Sequence, residues 1–421
     1  MRWSLPRPPS REVGVLAAVG FSVAIGFGIV APAIPLLARS FGVGDLAASA
    51  VISVFALMRL VSALGGGALV ERFGERRVLA TGIAIVAASS AAAGAAPSYG
   101  WLLALRGIGG IGSAMFSISA LTLLLRSVSP DRRAAASGIF SGSFLVGGVL
   151  GPALGGLVTD ASPRTPFFLY AGTLAVAGSI GLLALPRTPL AAAPLGDGVP
   201  TEVRTSLGEA MRMPAYRAAL AAYAAQTWTS LGLRSSVVPL FVTASVGAGG
   251  LGASPRLVGL GLGLSAALNV VTLYPAGRYA DRRGRRPVIL AGLALLAMSM
   301  GLLAVADSTA GYFLGLAVLG PGSGMLAVAP AAVVADVVVG RGGKAIAAYQ
   351  MAGDVGSVAG PLLAGALAEQ VSYGAAFGAT AGVIVAALLI GLTAPETRVP
   401  VQPLPPAADP TSLEPHSDLD L

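Results

Sequence analysis

The chain of 421 residues contains no cysteine and a single histidine, His416. The first absence excludes disulfides, thiolate metal sites and a cysteine nucleophile. The second leaves no imidazole cluster for a metal or a proton relay outside the C-terminal tail. Charged residues make up only 11% of the chain, and no polar stretch is long enough for a sizeable soluble domain. No Ser/His/Asp arrangement stands out. The closest approach to a phosphate-binding loop, VVVGRGGKA at 337–345, lacks the leading glycine and the hydroxyl residue after Lys344 that such a loop needs. An enzyme or an ATP-driven motor has no residues to rest on, and no cofactor or metal is expected.

Apolar residues, by contrast, make up 55% of the chain, with 58 glycines and a mean hydropathy of +0.80. A bilayer core about 30 Å thick takes about 20 apolar residues per helix. Stretches of that kind recur near 13–38, 45–70, 78–96, 100–126, 134–158, 166–185, 216–246, 256–278, 287–306, 311–338, 345–368 and 375–394. The expected fold is an all-α membrane protein of twelve transmembrane helices. The expected organisation is a stub at 1–12, six helices within 13–185, a linker at 186–215, six helices within 216–394, and a polar tail at 395–421 with the composition of a disordered segment. The opening MRWSLPRPPSREVG leads into an apolar run too long for a cleavable signal, so the first helix is expected to stay.

The arginines follow the loops. With the N-terminus inside, only Arg39, Arg164 and Arg256 among the loop and terminal cations fall on the far side, which places both termini in the cytoplasm. The net charge of +8 thus reflects insertion into the bilayer and not nucleic-acid binding. Three arginines, Arg59, Arg106 and Arg234, lie within apolar stretches.

Two basic turns resemble each other. GALVERFGERRV at 67–78 aligns with GRYADRRGRRP at 277–287, a shift of 210 residues that sets Gly67 on Gly277, Glu71 on Asp281 and Gly74 on Gly284. Related shifts align GPALGG from Gly151 with GPLLAG from Gly360, and Pro35 with Pro239. The chain therefore reads as two repeats, the construction of many secondary transporters, whose sites lie between the repeats.

These turns resemble the signature loop of the major facilitator superfamily, G-x-L-a-D-r-x-G-r-[KR]. The second copy supplies Gly277, Asp281, Arg282, Gly284, Arg285 and Arg286; the first supplies Gly67, Leu69, Glu71, Arg72, Gly74 and Arg76, with Glu71 for the usual Asp and Glu75 where a base is usual. The arginines anchor the turn at the membrane face, the glycines allow it to be tight, and the acids are expected to join a charge cluster that latches one conformation. GIFSGSFLVGGVLGPALGG, from 138 to 156, is similar to the antiporter signature of the superfamily's drug exporters at Gly138, Gly147, Gly151, Pro152, Gly155 and Gly156. Small residues let helices approach closely, so a tight seam against the other half is expected here. Arg106, with Gly110 and Gly112, resembles a pattern that in the family is implicated in proton handling.

A charge within the hydrocarbon is costly unless it faces a wet cavity or a partner. Arg59 lies near mid-membrane with Asn269 as its repeat mate; Gln226, Ser230 and Arg234 share one face of a continuous helix, with Arg234 near the outer end, where it can also reach the interface. Asp354 is the acid well inside a span, with Gln350 one turn before it. Burial favours its neutral form and a neighbouring Arg59 or Arg106 its ionised form, a competition suited to a proton carrier. The resemblance implies an exporter of small, lipophilic molecules across the inner membrane by proton-coupled alternating access, with substrate, protons and lipid as its partners. Nothing in the sequence specifies an oligomer, and a monomer suffices. Three arginines against one acid leave an alternative: an organic-anion or metabolite transporter of the same fold, import included.

Overall fold

The computed structural model describes residues 11–128, 133–185, 205–338 and 343–397. The stub at 1–12, the linker and the tail fall largely outside them. Among the described residues every regular element is a helix: α1 Arg11–Val30, α2 Ala33–Arg39, α3 Asp45–Phe73, α4 Glu75–Gly94, α5 Tyr99–Arg126, α6 Arg133–Ala161 and α7 Thr165–Ala184 form a first set. The short α8, Leu207–Arg212, precedes a second set: α9 Pro214–Thr227, α10 Val237–Thr243, α11 Pro255–Arg283, α12 Arg285–Ala304, α13 Thr309–Val337, α14 Gly343–Gln370 and α15 Tyr373–Leu392. Eleven helical segments, α1 and α2 counting as one, are long and apolar enough to cross a membrane. This is a multi-pass membrane protein.

The seventh expected span, 216–246, is not one continuous helix. After α9 the chain winds into a π turn at Trp228–Gly232 and a 3-10 turn at Leu233–Ser235 before α10 resumes. Pro239 explains the break: it has no N–H to return to the carbonyl one turn earlier, and Gly232 adds a weak helix former just before that point. Its repeat mate Pro35 stands at the equivalent place, just past the interruption at residues 31–32 between α1 and α2.

The repeat holds at the level of single contacts. With no hydrophobic drive between helices in lipid, small residues and close packing hold them together. A β-carbon on Gly110 would fall 2.4 Å from the Phe55 carbonyl oxygen, and one on Gly320 2.5 Å from that of Ser265; all four positions are related by the same shift of 210. Likewise Gly82 meets Gly112 between α4 and α5, and Gly292 and Gly322 face each other between α12 and α13. Even one hydrogen bond recurs: the guanidinium of Arg76 donates to the Leu182 carbonyl, and that of Arg286 to the Leu392 carbonyl.

The two basic turns are single residues. Gly74 links α3 to α4 at φ 80° and Gly284 links α11 to α12 at φ 114°, a region that a side chain disfavours. Around the second turn, Arg285 bonds Asp281 at 2.5 Å and Asp336 at 3.3 Å, while Glu396 accepts from the backbone N–H groups of Arg285 and Arg286. That carboxylate sits at the N-terminus of α12, where the helix dipole favours it. Around the first turn the polarity is reversed. Glu75 pairs with Arg126, and these two occupy the positions that Arg285 and Asp336 hold in the second repeat. The departure of Glu75 from the signature is thus compensated by its partner on α5.

Candidate transport cavity and the seam between the halves

The two sets meet along two lines, α3 against α14 and α6 against α11. On the first line a β-carbon at Gly365 would crowd Ser49, Glu369 accepts the backbone N–H of Leu46, and the Ser53 hydroxyl donates to the Val358 carbonyl at 2.8 Å. Nearest the basic turns on that line, Arg59 Nη2 lies 2.9 Å from Asp354 Oδ1. On the second line the backbones of Gly156 and Gly259 touch, a β-carbon on either falling 2.6 Å from the other's α-carbon. Further along α6, towards the basic turns, Gly138, Gly142 and Gly148 have no atom within 4 Å of where a β-carbon would stand. The seam therefore closes the end away from the basic turns.

Between the sets lies a cavity of about 360 Å³. α3 lines it with Ile52, Phe55, Ala56 and Arg59, and α5 with Arg106, Ser113, Phe116 and Ser117. Both sets of spacings put the residues on one helical face. Phe27, Phe144 and Tyr170 complete an aromatic wall, and Arg234 enters from the second set. The break in the seventh span frees Arg234 from the stripe it was expected to share. Gln226 and Ser230 turn instead to α13, where they contact the Ser323 carbonyl at 3.4 Å and the Ser323 hydroxyl at 2.9 Å. Arg234 accordingly faces the cavity and does not reach for the interface.

Arg106 is only 2% exposed; its guanidinium stacks over the Phe55 ring, 4.3 Å from the centroid, and its Nε has no hydrogen-bond partner. It does not pair with Asp354, whose partner is Arg59. Asn269 holds the position equivalent to Arg59, packed against Gly320 and Gly324, but is not part of the cavity wall. Gln350 is exposed on α14 and likewise outside the wall.

The glycine motif on α6 divides its work. Gly147, Gly151 and Gly155 press against α1 within their own half, a β-carbon on Gly151 falling 2.6 Å from the Gly28 α-carbon. The close approach expected against the other half is made by Gly156, with the Pro152 carbonyl 2.6 Å from where a β-carbon on Gly259 would be. In the signature turns, Asp281, Arg282 and Arg72 are exposed, and the cluster around Arg285 ties α11, α12 and α13 together within the second half. The side chain of Glu71 and the surroundings of Gly67 lie outside what the structure describes, while Gly277 has nothing within 4 Å.

Sequence reasoning passed over the aromatic wall and the Glu75–Arg126 pair. The spacing of Arg106, Ser113 and Ser117, two and three turns apart on one face, was the available signal for the wall.

The sequence model of the Major Facilitator Superfamily matches residues 16–249 and 225–416. The quinolone resistance protein NorA of Staphylococcus aureus is 26% identical over 181 residues, 43% of this chain and 46% of that protein. The multidrug resistance protein Stp of Mycobacterium tuberculosis is 33% identical over 133 residues, 31% of this chain and 25% of that protein. The matched segment thus spans about half, or less, of these relatives. Among solved structures, a bacterial homolog of the human lysosomal transporter Spinster, in an inward-facing and occupied conformation, superposes with a TM-score of 0.72 at 16% identity, covering 90% of this chain and 95% of that one. A peptide transporter POT in complex with sulfate gives 0.74 at 14% identity, covering 92% and 95%. The profile match across both repeats and the shared architecture agree: the chain belongs to the major facilitator superfamily.

Proposed function

We propose that the chain is a secondary transporter that exports small, lipophilic molecules across the inner membrane by proton-coupled alternating access. Both termini, the linker and the Gly74 and Gly284 turns lie on the cytoplasmic face in this reading, and the broken stretch 214–243 serves as the twelfth crossing. The observation that carries it is the Arg59–Asp354 ion pair, which joins the two halves at the wall of a largely apolar cavity. When Asp354 is ionised the pair holds the seam; when it takes a proton the attraction is lost in a weakly screened interior, so protonation and helix arrangement become linked. The resistance proteins among the relatives support the exporting direction.

The test is solute accumulation in inverted vesicles under an imposed pH gradient, across lipophilic cations, neutral drugs and organic anions. Accumulation that collapses with the gradient is expected. Gradient-independent uptake, or none of any solute, would remove proton-coupled export.

A further inference from the structure

We infer that the cavity selects lipophilic anions, aromatic carboxylates being the fitting class, and that Arg106 and Arg234 are the residues that make the selection. The inference rests on the reading of this cavity as the substrate path and names its substrate class.

The charge balance of the wall leads there. Among the described residues, three guanidinium groups and no carboxylate line the cavity. Arg59 is compensated by Asp354 at 2.9 Å, whereas among the described residues neither Arg106 nor Arg234 has an acid within ion-pair distance. Arg106 is nearly inaccessible, and its contact with the Phe55 face satisfies neither its charge nor its unpartnered Nε. An uncompensated cation held away from water is costly, and a carboxylate entering the cavity relieves that cost with charge-assisted hydrogen bonds. A lipophilic cation meets the opposite field. Apart from the hydroxyls of Ser113, Ser117, Ser235 and Ser357, the remainder of the wall is aromatic and aliphatic, with Phe27, Phe55, Phe116, Phe144 and Tyr170 grouped on the first half's side. Its volume of about 360 Å³ suits a ring system with a short acidic arm and not a peptide of several residues. Arg106 comes from α5 and Arg234 from the broken seventh stretch, so the two free charges belong to opposite halves and an anion held by both would tie them together.

Equilibrium binding to the purified full chain in detergent, measured by calorimetry, tests this with three probes that share one ring system: 1-naphthoate, 1-naphthamide and N,N,N-trimethyl-1-naphthylammonium. Naphthoate should bind at least tenfold more tightly than the amide, and the ammonium most weakly. Arg106→Gln and Arg234→Gln should each bring the carboxylate-to-amide ratio close to one, while Arg106→Lys, which keeps the charge, should retain part of it. Should Arg106→Gln not fold, Arg234→Gln and the wild-type ratio still decide. Equal affinity of the wild-type chain for naphthoate and naphthamide, or a preference for the ammonium, overturns the inference. Binding to purified protein needs no gradient, so a failure of proton-driven transport in vesicles leaves this result intact, and the converse also holds.

Discussion

Arg59 and Asp354 are 295 positions apart in the chain and 2.9 Å apart in the fold, and of the α3–α14 ties named above theirs lies closest to the basic turns. An ion pair at that place is the first tie met on going from the open end of the cavity into the seam. It is also partly accessible, with side-chain exposures of 36% and 23%, so a proton or water can reach it.

Asp354→Asn, which fixes the neutral form, should abolish accumulation driven by a pH gradient while leaving substrate binding and part of substrate exchange. A purely structural salt bridge gives another pattern: a poorly folded Asn variant, rescued by exchanging the charges of Arg59 and Asp354. Wild-type gradient-driven transport by Asp354→Asn would falsify the carrier role.

Exchange of substrate against protons requires that the two oppose each other in binding, and that opposition is reciprocal. A substrate exchanged against protons should therefore release protons as it binds, seen by calorimetry as a dependence of the heat on the ionisation enthalpy of the buffer. Net proton uptake on binding would instead make the chain a co-transporter and reverse the proposed direction.

The glycines of α6 should separate into two behaviours. Gly156→Leu forces bulk between the backbones of Gly156 and Gly259 and should push the halves apart, loosening a disulfide cross-link engineered between positions 49 and 365. Gly151→Leu presses on Gly28 within one half and should lower thermal stability by roughly 1–3 kcal/mol, the usual cost of inserted bulk, with little effect on that cross-link. Identical behaviour of the two variants would contradict the division of contacts.

Much of this fold was legible because bilayer thickness converts directly into run length: eleven of the twelve expected stretches are helical segments long and apolar enough to cross a membrane. The break at Trp228–Gly232 was not, since a hydropathy window averages over a π turn; Gly232 and Pro239 were the local signs. Depth alone left Asp354 to either Arg59 or Arg106 on the other repeat, and only the contact at 2.9 Å chooses Arg59. The aromatic wall was not legible, because in so oily a chain Phe116 facing a cavity reads the same as Phe168 on the outer surface. Glu75 looked like a defect in a motif when read by residue identity. Only its contact with Arg126, 51 residues on, shows what it does.

Glu75→Gln should destabilise the first half by about 1.5–3 kcal/mol, the range for hydrogen bonds to charged groups. Glu75→Arg should be worse, and Glu75→Arg combined with Arg126→Asp, the arrangement of the second repeat, should recover most of the loss. Thermal unfolding of the detergent-solubilised variants reads this directly, and a double variant no better than Glu75→Arg would show that the pair does not couple.

Topology is open to a clean test, since the chain has no cysteine of its own. A cysteine at the exposed position 282 should resist an impermeant thiol reagent applied to intact cells and react in inverted vesicles. Labelling from outside would turn the molecule over.

The reversed polarity of the two turn clusters also bears on how the halves descend from one another. A crossover between the repeats falling anywhere from position 75 to position 126 would place Glu75 opposite an aspartate, or an arginine opposite Arg126. Either product carries two like charges at a packed helix junction. Once both members of one pair have changed sign, only an exchange that spans both positions keeps opposite charges together, so each cluster moves between the halves as a unit or not at all.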